Sequence, residues 1–267
     1  MTHTTEVAFV SGDGTPLAGT RVTGARHDTA VVLAHGLTVD REEEGVFTSL
    51  AEQLAAAGIG SLRFDFRGHG ASARKPSDMT IAGETLDLAA AVQELRRDEP
   101  SRLGIVAASF GAVPTARLLA DEPAAADFVV LLNPALDLRR SLIEPEMPWA
   151  RQWFTPEALA NLHETGSIVI DGGFAVGAAL VDEMRRGPEP KCLLRGVDLP
   201  LVVIHGSADT YVSYETARDF VDTHPRATFV PVEGAEHGFH EGWATRRVCD
   251  EVVRWIAVLE GAVDAHQ

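Results

Sequence analysis

The feature that most constrains this chain is a rhythm: short runs rich in Val, Ile and Leu alternate with longer stretches of helical periodicity. Ala30-Val-Val-Leu-Ala34 reads as a buried strand, and Phe47 to Ala57 as a helix stopping at Gly58. Ser61 to Phe66 is the next strand and Thr80 to Arg97 the next helix. Leu103 to Ala108 is again a strand, with a helix beginning near Ser109 or Phe110. Phe128 to Leu132, Leu199 to Ile204 and Thr228 to Val232 complete the strands, and His240 to Leu259 reads as the closing helix. Strands that are apolar on both faces, separated by helices, require a parallel sheet covered on both sides. Ahead of them, Glu6 to Val10 and Leu17 to Val22 flank Ser11-Gly-Asp-Gly-Thr-Pro16, a hairpin signal that adds antiparallel strands at one edge. The expected fold class is α/β with helices on both faces.

One segment breaks the rhythm. Between Asn133 and Asp198 no convincing sheet strand occurs, Ser167-Ile-Val-Ile170 being the nearest, yet Trp149, Trp153, Phe154 and Phe174 fall there. A stretch too long for an ordinary loop is a subdomain or a functional element. The expected organisation is a core of residues 1–133 and 199–267 with an inserted cap at 134–198. The cap aromatics either form its own small core or, as tentative substrate contacts, line an apolar pocket.

Composition narrows the function classes. With 45% hydrophobic and 23% charged residues the chain reads as a soluble globular protein. Lys and Arg number 23 against 39 Asp and Glu, a net charge of −16, which disfavours nucleic acid and anionic membranes as partners. The run Glu42-Glu43-Glu44 reads as solvated surface. Cys192 and Cys249 are too few for a disulfide framework or a structural zinc site, and both read as buried small hydrophobes. No apolar run approaches the ~20 residues that cross a bilayer, and the start of the chain lacks a signal-peptide pattern, so a cytoplasmic location is expected. His237 and His240 have metal-compatible spacing but no third ligand in a zincin pattern, so neither metal nor cofactor is expected. A monomer or homodimer is expected.

In an open α/β sheet, catalytic groups sit just past the C-terminal strand ends. The strand exits carry His35-Gly-Leu-Thr38, then Asp65-Phe-Arg-Gly-His-Gly-Ala-Ser72, then Ala107-Ala-Ser-Phe-Gly111. The last two carry His205-Gly-Ser-Ala-Asp209 and Glu233-Gly-Ala-Glu-His-Gly-Phe239. Serine, acid and histidine thus follow one another in the order of the α/β hydrolases. A nucleophile on a tight strand-to-helix turn needs small neighbours two residues away, which Ala107 and Gly111 provide for Ser109. His237 is the expected base, with Asp209 fixing its tautomer. The backbone N–H groups of Leu37 and Phe110 are the expected oxyanion donors. Asp209 has an alternative as a cap of the following helix near Ser213, and Glu233 or Glu236 as a substitute acid. His35 and His69 read as organisers of the loops beside the oxyanion hole, His35 also as a tentative substrate contact. Arg67 and Asp65 read as ionic ties of the loop after their strand.

Taken together, the chain resembles the α/β-hydrolase superfamily and, within it, the bacterial cinnamoyl (feruloyl) esterases. The likeness runs through His35-Gly-Leu-Thr38, Ser61 to Ser72, Asp78-Met-Thr-Ile81, His205 to Asp209 and Gly234 to Gly238. It implies an α/β-hydrolase fold and Ser109, Asp209 and His237 as the triad of an esterase that forms an acyl-enzyme. The elbow departs from the Gly-His-Ser-x-Gly usual there. Ile105-Val-Ala-Ala-Ser109 is similar instead to the fatty-acyl thioesterases and transferases of bacterial bioluminescence, as are Leu136 to Ser141 and Gly173 to Gly177. That likeness implies an alternative: a thioesterase or acyltransferase acting on coenzyme-A or acyl-carrier-protein thioesters. Lyases and cyclases use the same scaffold, and a non-catalytic receptor is a further rival.

Overall fold

The computed structural model describes residues 3–23 and 28–264. Ten strands are present there: β1 (His3–Val10), β2 (Pro16–Thr23), β3 (Thr29–Ala34), β4 (Gly60–Phe64), β5 (Arg102–Ala108), β6 (Phe128–Leu132), β7 (Ser167–Ile170), β8 (Phe174–Gly177), β9 (Leu201–Gly206) and β10 (Ala227–Val232). The helices are α1 (Val46–Ala56), α2 (Ile81–Arg96), α3 (Ala112–Asp121), α4 (Pro148–Arg151), α5 (Pro156–Thr165), α6 (Ala178–Arg186), α7 (Pro190–Leu194), α8 (Tyr214–Asp222) and α9 (Gly242–Asp264). Eight strands form one sheet in the order β1-β2-β4-β3-β5-β6-β9-β10. The β1–β2 hairpin joins β4 antiparallel, and every pairing from β4 to β10 is parallel.

The reason lies in the strand composition. Side chains alternate across a sheet, so an all-apolar strand feeds two cores. Val31, Leu33, Val106, Val130 and Ile204 point to one face, where they pack with Phe47, Leu50 and Leu54 of α1 and Val248, Val252 and Ile256 of α9. Val32, Leu62, Ile105, Leu131 and Val203 point to the other, against Leu88 and Val92 of α2, Leu119 of α3 and Phe220 of α8. Strand β9 begins its ladder at Leu201 because Pro200 has no N–H to donate. Pro231 is tolerated in β10 because that strand is the sheet edge.

Between β6 and β9 the chain leaves the sheet. Ser167–Ile170 does form a strand, but it pairs only with β8 in a separate two-stranded hairpin turned by Asp171-Gly-Gly173, all three with positive φ. Phe154, Leu159, Leu162, Ile168, Ile170 and Leu180 make a third core, which sits against Leu37, Phe110 and Val113 at the strand exits. Cys249 is buried in the α9 core as expected, but Cys192 is exposed on the short helix α7, so only one of the two serves as a small core residue. Among the described residues, no helix is long and apolar enough to cross a membrane.

Candidate active site

β5 ends at Ala108 and the chain reverses at Ser109, whose φ of 49° lies in the left-handed region. An L-residue held there costs of the order of 1 kcal/mol or more, and such strain concentrates at functional turns. The turn admits no bulk: a Cβ on Gly111 would lie 2.4 Å from the Ala34 carbonyl oxygen, and Ala107 is fully enclosed. Ser109 is thereby thrust above the sheet, and its Oγ lies 3.0 Å from His237 Nε2. His237 Nδ1 lies 2.8 Å from Asp209 Oδ2.

Asp209 is almost wholly buried, with its Oδ1 accepting the N–H groups of Tyr211 at 2.8 Å and Val212 at 3.0 Å. Burial opposes its ionisation, but the neighbouring His237 and His205 outweigh that and hold its carboxyl well below the usual carboxylate range. His205 Nε2, fully enclosed, lies 3.2 Å from the same Oδ2 that faces His237. Asp209 does not cap α8; Ser213 does, accepting from Thr216 N–H at 3.1 Å. Glu236 accepts from Thr210 N–H and Oγ1 and from the backbone N–H of His237, which ties the two loops together.

Leu37 and Phe110 both line the cavity that opens over Ser109. Phe110 lies in the first turn after the strand, where N–H groups lack intrahelical acceptors. The Leu37 turn is held by its neighbours. Phe66 N–H donates to His35 Nε2 at 3.0 Å, which leaves the proton on Nδ1, and that donates to the Gly36 carbonyl at 2.8 Å. Burial, then the adjacent His69, push the His35 pKa well down, in keeping with this neutral tautomer. In a trans peptide the N–H opposes the C=O, so fixing the Gly36 carbonyl orients the Leu37 N–H. His69 Nε2 lies 2.6 Å from the Leu37 carbonyl.

Of the remaining sequence candidates, His35 is 1% exposed beneath the loop and does not line the cavity; it acts on the backbone and cannot reach a substrate. Trp149 does line the cavity. Trp153 does not: it packs into the third core with its Nε1 buried. Phe174 lies against His69, ring centroids 5.1 Å apart, beside a separate groove at Pro76. Arg67 and Asp65 are ionic ties, each with its own partners: Arg67 grips Asp87 with two nitrogens at 2.9 and 2.7 Å, and Asp65 takes Arg41 at 2.9 Å. His240 pairs with Glu44 at 3.0 Å, and no metal-binding cluster occurs among the described residues.

Three residues at the site escaped the sequence reading. Tyr211 lies flat on His237, ring centroids 4.6 Å apart and planes 7° apart, and Trp149 stacks on its other face at 4.8 Å. Asp171, in the β7–β8 turn, accepts from Trp149 Nε1 at 3.0 Å. Glu43, read as solvated, is 6% exposed and lines the cavity beside Ser109 and His237. Its only sequence hint is Gly45, which follows the acidic run and has a φ of 95°. The cavity measures about 410 Å³; Leu37, Phe110, Leu142 and Val212 give it apolar walls, and Glu44 and Asp171 stand at its exposed rim.

A family model for hydrolases, described as serine aminopeptidase, matches residues 25–171, more than half of the chain. The chain belongs to this α/β-hydrolase family. Solved hydrolases share the architecture. Est1E from Butyrivibrio proteoclasticus, in a complex with ferulic acid, superposes with a TM-score of 0.80 at 20% identity, covering 94% of this chain and 98% of that one. The Pyrococcus furiosus esterase Pf2001 gives 0.67 at 24% identity over 94% and 92%. The esterase domain of a Rhodothermus marinus protein gives 0.70 at 23% identity over 95% and 97%. At these identities the likeness establishes the hydrolase fold. No curated protein sequence matches the chain.

Proposed function

We propose that this α/β hydrolase cleaves a carboxylic ester by acyl transfer to water. The carrying observation is the line from Ser109 Oγ to His237 Nε2 and from His237 Nδ1 to Asp209 Oδ2, at 3.0 and 2.8 Å. Ser109 attacks the ester carbonyl while His237 takes its proton, and the buried Asp209 carboxylate holds the ring and balances its positive charge. The oxyanion rests on the N–H groups of Leu37 and Phe110. His237 returns the proton to the departing alcohol, then deprotonates the water that releases the acid. Residues 134–198 act as a cap that shields the acyl group. The apolar part of the lining, Leu37, Phe110, Leu142 and Val212, suits a small or medium acyl chain, and the ferulic acid complex of Est1E makes aromatic acids the first to try.

Rim charge favours an oxyester over a coenzyme-A thioester. Glu44 and Asp171 stand at the exposed rim of the cavity, and His240 there is already paired with Glu44. Coenzyme A carries several phosphate charges into that field, on a chain of net charge −16.

Ser109→Ala is expected to lower p-nitrophenyl ester turnover by about 10⁴-fold or more, and unchanged turnover refutes the nucleophile. One acyl group offered as its ethyl ester, its N-acetylcysteamine thioester and its coenzyme-A thioester separates thioester chemistry from charge. Preference for the coenzyme-A form overturns the oxyester reading. An aminoacyl p-nitroanilide hydrolysed faster than the ester points instead to peptide cleavage.

A further inference from the structure

Three left-handed residues in a row are unusual, and this chain has them at Glu43, Glu44 and Gly45, with φ of 45°, 49° and 95°. Only the third is a glycine. The non-glycine pair costs of the order of 1 kcal/mol or more per residue, and the contortion also carries a carboxylate out of water. A solvated acidic run has no reason to do either. The bend delivers Glu43 beneath the loop after β3, where its Oε2 accepts the Gly36 N–H at 2.8 Å.

That contact completes a set. Gly36 and Leu37 together have two backbone N–H groups and two carbonyls. The Gly36 carbonyl is taken by His35, the Leu37 carbonyl by His69 and the Gly36 N–H by Glu43. The Leu37 N–H is the group with no acceptor among the described residues, and Leu37 lines the cavity over Ser109. The turn has little slack, because a Cβ on Gly36 would lie 3.2 Å from the Ser109 Cβ. Any shift of the Gly36 peptide therefore changes the distance from the Leu37 N–H to the carbon that Ser109 attacks.

We infer that Glu43 is a positioning residue for the oxyanion site: its side-chain oxygen, through the Gly36 N–H, fixes the Leu37 N–H at the place where the negative charge develops. This rests on the acyl-transfer reading above and deepens it. The groups around Glu43 are His237 on one side and Glu44 and Asp40 of its own loop on the other. Burial, which pushes the Glu43 carboxyl up to about 7, shows how far the chain goes to place an acceptor there.

The requirement is reach, so two conservative variants separate it from charge. Glu43→Gln keeps an oxygen at the same length without the charge. Glu43→Asp keeps the charge but withdraws it by one methylene. The readouts are kcat and KM for an ester, the affinity of a trifluoromethyl ketone (which forms a charged adduct on Ser109), and the rate of fluorophosphonate labelling. Loss of one oxyanion donor lowers kcat by about 10²–10³-fold. Glu43→Asp is expected to lose about 10²-fold in kcat and in ketone affinity with KM within about twofold, while Glu43→Gln stays within about fivefold of the wild type. Wild-type kcat in Glu43→Asp, or equal losses in both variants, overturns the inference. A parallel loss of KM and kcat in both does the same, since it marks a merely structural role. Absence of Ser109-dependent labelling in the wild type is a different result, which sinks the acyl-transfer reading and the inference with it.

Discussion

The burial that surrounds Glu43 also makes it a weakness as pH rises, and the size of that weakness can be worked out. Its carboxyl is raised from 4.5 to about 7, chiefly by burial and against the pull of the Gly36 N–H. Between those values the folded protein holds a proton that the unfolded chain has released. The native state binds more protons than the unfolded one, so stability falls as pH rises through this window. Each unit of pH spent inside it changes stability by about 1.4 kcal/mol. Going from about pH 5.5 to pH 8.5 crosses about 1.5 units of it, and the loss is about 2 kcal/mol. Glu43→Gln removes the titration and keeps the shape. Relative to the wild type it is expected to gain about 2 kcal/mol between those two pH values, or about 4–8 °C in Tm for a chain of this size. Thermal melts of both proteins at the two pH values measure it, because the titrating groups remote from Glu43 cancel in the difference. A Tm difference that stays the same at both pH values refutes the buried, raised carboxyl and returns Glu43 to the solvated surface.

Gly111→Ala is expected to destabilise the fold by about 1–3 kcal/mol and to cut activity, since its new methyl meets the fixed carbonyls of Ala34 and His35; a urea titration beside an ester assay reads both. Asp87→Leu strips the buried Arg67 of its bidentate partner and is expected to cost about 3–5 kcal/mol. A loss below about 1 kcal/mol in the same titration shows that Asp13, which also bonds Arg67, suffices alone.

The sheet was legible because its strands are apolar on both faces, which leaves one architecture for Ala30–Ala34 or Phe128–Leu132 to build. The tight turn at Ser109 was legible from its small neighbours, since Ala107 and Gly111 report how close the next strand lies. Tyr211 was not, because its role comes from lying over a ring 26 positions further on, and no local period encodes such a contact. Trp153 and Phe174 were indistinguishable from Trp149 by composition, yet only Trp149 meets the cavity. The segment between β6 and β9 packs through short irregular elements whose facing cannot be counted along the chain. Glu43 was hidden for a different reason: three adjacent glutamates look alike until the backbone bends, and the bend turns the middle one inward while Glu44 remains exposed.

The three parallel rings of Trp149, Tyr211 and His237 tie the imidazole to a side chain from the segment between β6 and β9. Anyone exchanging that segment with one from a relative to alter selectivity would strip the backing ring from Tyr211, which lies flat on the imidazole. A working chimera must bring a flat side chain at position 149 along with the new segment, or rebuild position 211 so that His237 stands without it.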